Sequence, residues 1–318
     1  MASIDGKELL ECLGEGETPE ALGLRRTPEG LVDLRGLRLG KARPRAKFRV
    51  LGATFDYVPG KPIFEKLSLS HVDLSGAQIE QSLWVACTLH HVRFEHVRGA
   101  GVNFASSGME SVSFARADLR RANWGEDRLD GPLVADTEFI DCDLRGSMYA
   151  HPLFRNCRWV NCNLEDVNFG GARFEDCTFV GLLNDVMFHG RYRDPDPRIA
   201  DLRNSMRNVD FSRALLKDVS FDDSIDLMTC IFPQDGYLRI PRPKAAYDRA
   251  IRRVRDTWFG KAKDRALFYL EETAKFVPED QPLDVVRPMD FVEGSFGRDL
   301  GEDVARKLIR ILEDASRE

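Results

Sequence analysis

Residues 141–179, DCDLRGSMYAHPLFRNCRWVNCNLEDVNFGGARFEDCTF, decide the fold. Every fifth residue in this stretch is large and apolar: Leu144, Tyr149, Phe154, Trp159, Leu164, Phe169, Phe174 and Phe179. Two positions earlier the side chain is usually small, as in Cys142, Ser147, Cys157, Cys162, Ala172 and Cys177. The residue between is often Asp or Asn, as at Asp143, Asn163 and Asn168. The same frame runs back to Leu69, and of its twenty-three positions only Gly99 is not large and apolar.

A period of five fits neither an amphipathic helix nor a simple strand. Each pentad offers two inward residues, one large and one small, which suits a coil with a corner in every five residues stacked on copies of itself. The units RADLR (116–120), RANWG (121–125), DCDLR (141–145), NCNLE (161–165) and DVNFG (166–170) resemble the pentapeptide-repeat family, whose motif is A(D/N)LXX. The resemblance implies a mainly β fold, a right-handed four-sided β-helix with four pentads per coil. Coils of about twenty residues would stack Cys142 near Cys162, Cys157 near Cys177 and Phe169 on Tyr149. Glycines such as Gly170 and Gly171 are expected at corners of positive φ.

Working outward, residues 1–30 form an N-terminal cap with a short helix over Ile4–Leu13, followed by a Gly/Glu/Pro-rich stretch. The solenoid is assigned to 31–232. LVDLRGLRLG (31–40) gives two pentads, KARPRAKFR (41–49) is a basic interruption, and GATFD (52–56) and PIFEK (62–66) read as pentads again. A loop projecting from the coil is expected at 182–200, because the repeat fails there and Asp194-Pro195-Asp196-Pro197 lacks the N–H groups a ladder needs. The repeat returns at Met206, Phe211, Leu216 and Phe221. Residues 233–318 make a C-terminal helical module. Apolar residues at helical spacing run through 244–276, with Gly260 as a break, and a last amphipathic helix lies in 301–318. Covering the open end of the solenoid is its natural task.

Composition excludes several functions. A formal net charge of −6 on 318 residues gives no general attraction to nucleic acid or anionic membrane. No stretch approaches the roughly 20 apolar residues of a membrane span. The start, MASIDGKELLECLGEGE, has neither a basic nor an apolar signal region, so a cytoplasmic protein is expected. Six of the seven cysteines sit two residues before a large apolar one, as small hydrophobes filling the small slot rather than metal ligands. His71, His91 and His151 would share one corner, with no third ligand evident beside the adjacent pair, so neither metal nor cofactor is expected. No nucleophile, metalloprotease or phosphate-loop motif is present, and a filled rod offers no deep pocket, so the chain reads as a non-enzyme.

The rod surface is then the working part. With uniform coils, the face of Trp84, Phe104, Trp124, Leu144 and Leu164 carries Glu126, Asp143, Glu165 and Asp166. Together with Arg191, Tyr192, Asp194 and Asp196 on the projecting loop, these are the expected partner-binding residues. Some members of the family resemble duplex DNA in width and charge and bind type II topoisomerase (DNA gyrase), protecting it from inhibitors. The resemblance therefore implies a protein partner of that kind and no direct contact with nucleic acid. The alternative is an adaptor whose helical module, with the basic patch Arg249, Arg252, Arg253 and Arg255, recognises another protein. The sequence leaves the oligomeric state open, a homodimer included.

Overall fold

The computed structural model describes residues 5–39, 46–50, 53–57, 62–125, 131–191, 203–293 and 300–317. Short parallel strands stack coil upon coil into a β-helix, and the apolar residues of the five-residue frame point inward. They form four interior columns, one per face. Phe94, Phe114, Phe139, Trp159, Phe179, Phe211 and Phe232 make one, with ring centroids 4.6–5.4 Å apart and planes nearly parallel. Phe64, Trp84, Phe104, Trp124, Tyr149, Phe169, Phe188 and Phe221 make another. Rings of one column also meet the next edge to face, as Phe169 meets Phe174 at 77°, so the core is a lattice of aromatic pairs. Gly99 marks a place where the column is already full: a Cβ there would lie 3.1 Å from Leu119 Cδ2.

The small slot has a polar duty as well. Cys162 Sγ donates to the carbonyl of Phe139 at 3.2 Å, and Cys157 Sγ to that of Val134 at 3.2 Å. Ser107 Oγ donates to Trp84 O at 3.0 Å. In each case the acceptor is the large residue of the preceding coil, twenty-three positions back. Cys142 faces Cys162 and Cys157 faces Cys177, as the stacking requires. All seven cysteines are free thiols. Burial pushes the Cys87 thiol up to about 11 and raises that of Cys157 further, while the hydrogen bond with Cys142 and then burial raise that of Cys162, so they stay protonated.

A uniform coil of twenty is corrected in three places. Phe114 pairs with Phe139 and Trp124 with Tyr149, so the coil containing 126–130 has twenty-five residues. Val32 pairs with Val72, forty residues on, because 46–50 and 53–57 form an antiparallel hairpin outside the coil. GATFD therefore belongs to a hairpin, not a pentad. After Phe179 the frame slips by one residue and continues inward through Leu183 and Phe188. Of the loop expected at 182–200, residues up to His189 are instead strands of the coil, and 192–200 lie outside the described residues; Gly190 O accepts from Asn204 N at 2.9 Å. Left-handed corners are held mostly by Asp, Asn, His and Arg, and neither Gly170 nor Gly171 is among them. Short polar side chains tolerate this conformation through local hydrogen bonds.

Both ends of the solenoid are covered. The helix Gly6–Gly14 is capped by Asp5, whose Oδ1 accepts from Lys7 N and Glu8 N at 2.7 and 2.9 Å. Its Leu10 is fully buried on the first coil. At the other end the antiparallel pair 238–241 and 283–286 lies against the last coil, with Tyr237, Leu283 and Val285 joining the solenoid core. Tyr237 Oη accepts from Leu216 N at 2.8 Å and Gln281 Nε2 donates to Phe221 O at 3.0 Å, satisfying groups the final coil leaves open. Helices Pro243–Thr257, Gly260–Phe276 and Glu302–Arg317 build a second core around Tyr247, Val254, Leu270, Leu308 and Leu312. Gly260, at φ +63°, separates the first two helices.

Candidate partner-binding site

The extra pentad reassigns the outer faces. Asp143 lies beside Asp118 and Asn163, not on the face of Trp84 and Trp124. The acidic face expected from uniform coils therefore does not exist as drawn. Asp143 is also clamped by Arg145, with Nε to Oδ1 at 2.9 Å and Nη2 to Oδ2 at 2.7 Å, and Arg120 Nε lies 3.7 Å away. Asp118 and Arg120 repeat this two-residue clamp, and the Arg120 hydrogen bond holds the Asp118 carboxyl below its usual range. Glu126, Tyr192, Asp194 and Asp196 lie outside the described residues. Arg191 reaches Asp280 of the helical module at 3.4 Å, and Asp280 also accepts from Ser224. Arg191 thus contacts the module at the end of the described coil segment.

Glu165 and Asp166 remain exposed, and the structure extends them. Asp166, Asp185 and Asp218 occupy one left-handed corner in successive coils, at φ 57°, 56° and 51°. Burial first, then the charges of Asp166, Asp218 and Glu165, raises the Asp185 carboxyl above its ordinary value. Aspartate suits a left-handed corner, which alone accounts for one such residue. Three in consecutive coils accept mutual repulsion that Asn would avoid.

This acidic column runs into a cleft of about 1570 Å³ between the last coils and the helical module. Asn184, Asp185, Lys217 and Asp218 form its solenoid wall, and Asp264, Phe268, Glu272 and Phe276 of the 260–276 helix face them. Phe268 and Phe276 are 41% and 54% exposed. Carboxylates outnumber cations along the lining, where Lys217, Arg265 and Arg287 stand against seven acidic residues. At its base Tyr247 Oη donates to Asp284 Oδ2 at 2.9 Å and Val285 N donates to Oδ1 at 2.8 Å. Burial still pushes the Asp284 carboxyl up to about 6. Asp290, raised by burial, pairs with Arg287 at 2.7 Å and accepts from Asp218 N at 3.3 Å.

The basic patch expected on the module is partly spent inside it. Arg249 donates from Nε and Nη2 to Ala315 O, at 2.9 and 2.6 Å, and Arg255 pairs with Glu271 at 2.7 Å. The histidines also sort differently. His71 and His91 share a corner, but the longer coil moves His151 to the corner of Ala86 and Ser106, where it is buried. His90 takes its place beside the pair.

A coil of short parallel strands, turning every five residues and closed by small slots that hydrogen-bond backward, is the geometry of the repeat read in the sequence. The family description "Pentapeptide repeats (8 copies)" matches residues 150–181. The chain carries pentapeptide repeats. No curated protein sequence matches it. Solved structures similar to it include two trypsin-treated variants of QnrB1, a plasmid-mediated fluoroquinolone resistance protein. One is 12% identical over 50% of this chain and 79% of its own, with a TM-score of 0.25. The other is 14% identical over 50% and 77%, with a TM-score of 0.27. The pentapeptide repeat protein Rfr23 from the cyanobacterium Cyanothece 51142 is 13% identical over 63% and 87%, with a TM-score of 0.17. Among the described residues no helix is long and apolar enough to cross a membrane.

Proposed function

We propose that this chain is a non-catalytic binding protein that takes a basic segment of a protein partner in the cleft between its last coils and its helical module. The observation that carries this reading is the acidic column Glu165, Asp166, Asp185 and Asp218 leading into a cleft with exposed Phe268 and Phe276 on the opposite wall. The cleft exceeds the several hundred Å³ typical of small-ligand pockets and suits a polypeptide segment instead. Apolar rings supply affinity, and the surplus carboxylates select a positively charged partner and speed its approach.

Type II topoisomerase is the partner class implied by the family resemblance, and the carboxylate column is the feature that favours it. The arginine clamps on Asp118 and Asp143 count against a DNA-like surface along the rest of the rod. A gyrase supercoiling assay with the purified chain tests the point. Salt-sensitive inhibition that weakens in Glu165→Gln/Asp166→Asn supports it, and no inhibition by the parent removes topoisomerase. The broader reading is tested by a photo-crosslinking residue in place of Phe268. A crosslinked protein with a basic segment at the junction supports the cleft. Crosslinks only from the opposite side of the rod, with the probe placed there instead, would refute it.

A further inference from the structure

A second surface feature lies at the other end of the rod. His71 and His91 occupy the same corner in adjacent coils, their rings 4.9 Å apart and 4° from parallel. His90 precedes His91 on the same strand, Thr88–Arg93, and its ring turns edge-on to both, with centroids 5.5 Å from His71 and 4.2 Å from His91. One ligand atom from each of the three rings lies within 4.8 Å of the others. His91 Nδ1 is 3.0 Å from His90 Nε2. A tetrahedral metal with bonds of roughly 2.0–2.1 Å to nitrogen places its ligand atoms roughly 3.3 Å apart. The broad χ2 preference of each ring leaves it free to turn toward that arrangement.

The surroundings supply further partners. Ser70, His90 and Glu110 are strand neighbours in three successive coils. Ser70 Oγ lies 2.7 Å from His71 Nδ1, and Glu110 Oε2 lies 3.9 Å from His90 Nε2. Stacking of His71 on His91 follows from the fold alone. Convergence of a third imidazole on the same spot, itself 3.9 Å from a carboxylate, does not, because any polar residue would serve at an outward position. His71 and His91 are exposed and His90 is half-buried, so the site opens to solvent.

We propose that His71, His90 and His91 bind a divalent transition metal of the zinc class, with the Glu110 carboxylate or a water completing the tetrahedron. Three imidazoles with one oxygen are a donor set that zinc and its neighbours in the affinity series accept readily. Because the ligands come from two or three coils, the metal clips them together and stabilises the folded chain by mass action.

The test is equilibrium dialysis of the untagged full-length protein against zinc sulfate, followed by elemental analysis. One zinc per chain is expected. His71→Ala, His90→Ala and His91→Ala should each weaken binding more than tenfold. His96→Ala, whose ring accepts from Arg116 Nε instead, should leave it unchanged. Alanine at the left-handed His71 and His91 corners lowers the metal-free melting temperature by itself, so the readout is the rise that zinc adds, which the parent and His96→Ala should show and the three ligand variants should lose. Cobalt bound in the same place should show tetrahedral d–d bands without thiolate charge transfer, excluding the cysteines. No saturable uptake by the parent, or equal uptake by the triple histidine variant, overturns the proposal.

Discussion

Trp124 lies over Tyr149, twenty-five residues further on, with ring centroids 6.2 Å apart and planes 8° from parallel. Earlier in the same column twenty residues separate such a pair, as with Trp84 and Phe104. One added pentad keeps the five-residue frame intact while turning every later residue by one face. The frame alone therefore predicts which residues are inside but not which face each outward residue occupies.

The interior lattice sets the cost of losing a ring. Phe174 is buried with Phe154, Trp159, Phe169, Phe179 and Phe188 all within 5.9 Å, centroid to centroid. Hydrogen-bonded coils above and below cannot close on the space a smaller side chain leaves. Phe174→Ala should cost about 3–5 kcal/mol in chemical denaturation. A loss under about 1 kcal/mol would mean that the coil collapses around the hole.

Cys162→Ala should cost far less, about 1 kcal/mol, since the slot loses only a sulfur and its weak bond to Phe139 O. Thiol titration of the native parent should meanwhile find Cys157 and Cys162 unreactive, because burial of the first, and the Cys142 hydrogen bond with burial for the second, keep both protonated and inaccessible. Rapid modification of either without unfolding would contradict the burial.

The inward residues, the stacked cysteines and the break at Gly260 were legible because each rests on local periodicity or on glycine's freedom. The face assignment of Asp143 was not, because an inserted pentad is silent in a five-residue pattern. The inward turn at Leu183 and Phe188 hid behind a one-residue slip, and with it went Asp185 and Asp218. Phe268 and Asp284 join the cleft only through the docking of the module on the last coil, a contact between segments with no shared pattern. His90 escaped notice because it pairs with Ser70 rather than with another histidine.

Asp284 makes the module sensitive to pH. Its folded value of about 6 lies above the ordinary 3.8, so the native chain holds this proton more tightly than the unfolded chain. Between pH 4 and 6 the folded state then carries more protons at this site, and stability falls as pH rises through that window. A difference near two units corresponds to about 3 kcal/mol at most. Asp284→Asn keeps a polar partner for Tyr247 Oη and removes the charge. Denaturation midpoints measured from pH 4 to 7 should fall less steeply with rising pH in the variant than in the parent. Parallel curves would show that Asp284 does not titrate in this window.

The carboxylate column joins electrostatics to the proposed binding role. Asp185 is exposed, so part of its upward shift comes from Asp166, Asp218 and Glu165 rather than from burial alone. Glu165→Gln with Asp166→Asn removes two of these three charges. Carboxyl carbon chemical shifts followed through a pH titration should then show Asp185 ionising at lower pH than in the parent. Stability should change by no more than about 0.5 kcal/mol, because both replaced side chains point into solvent. Partner capture should weaken, and the loss should shrink as salt is raised, since screening already mutes the column in the parent. A variant with the expected downward shift at Asp185 but undiminished capture at low salt would separate the column from recognition. It would leave the apolar wall at Phe268 and Phe276 as the binding surface.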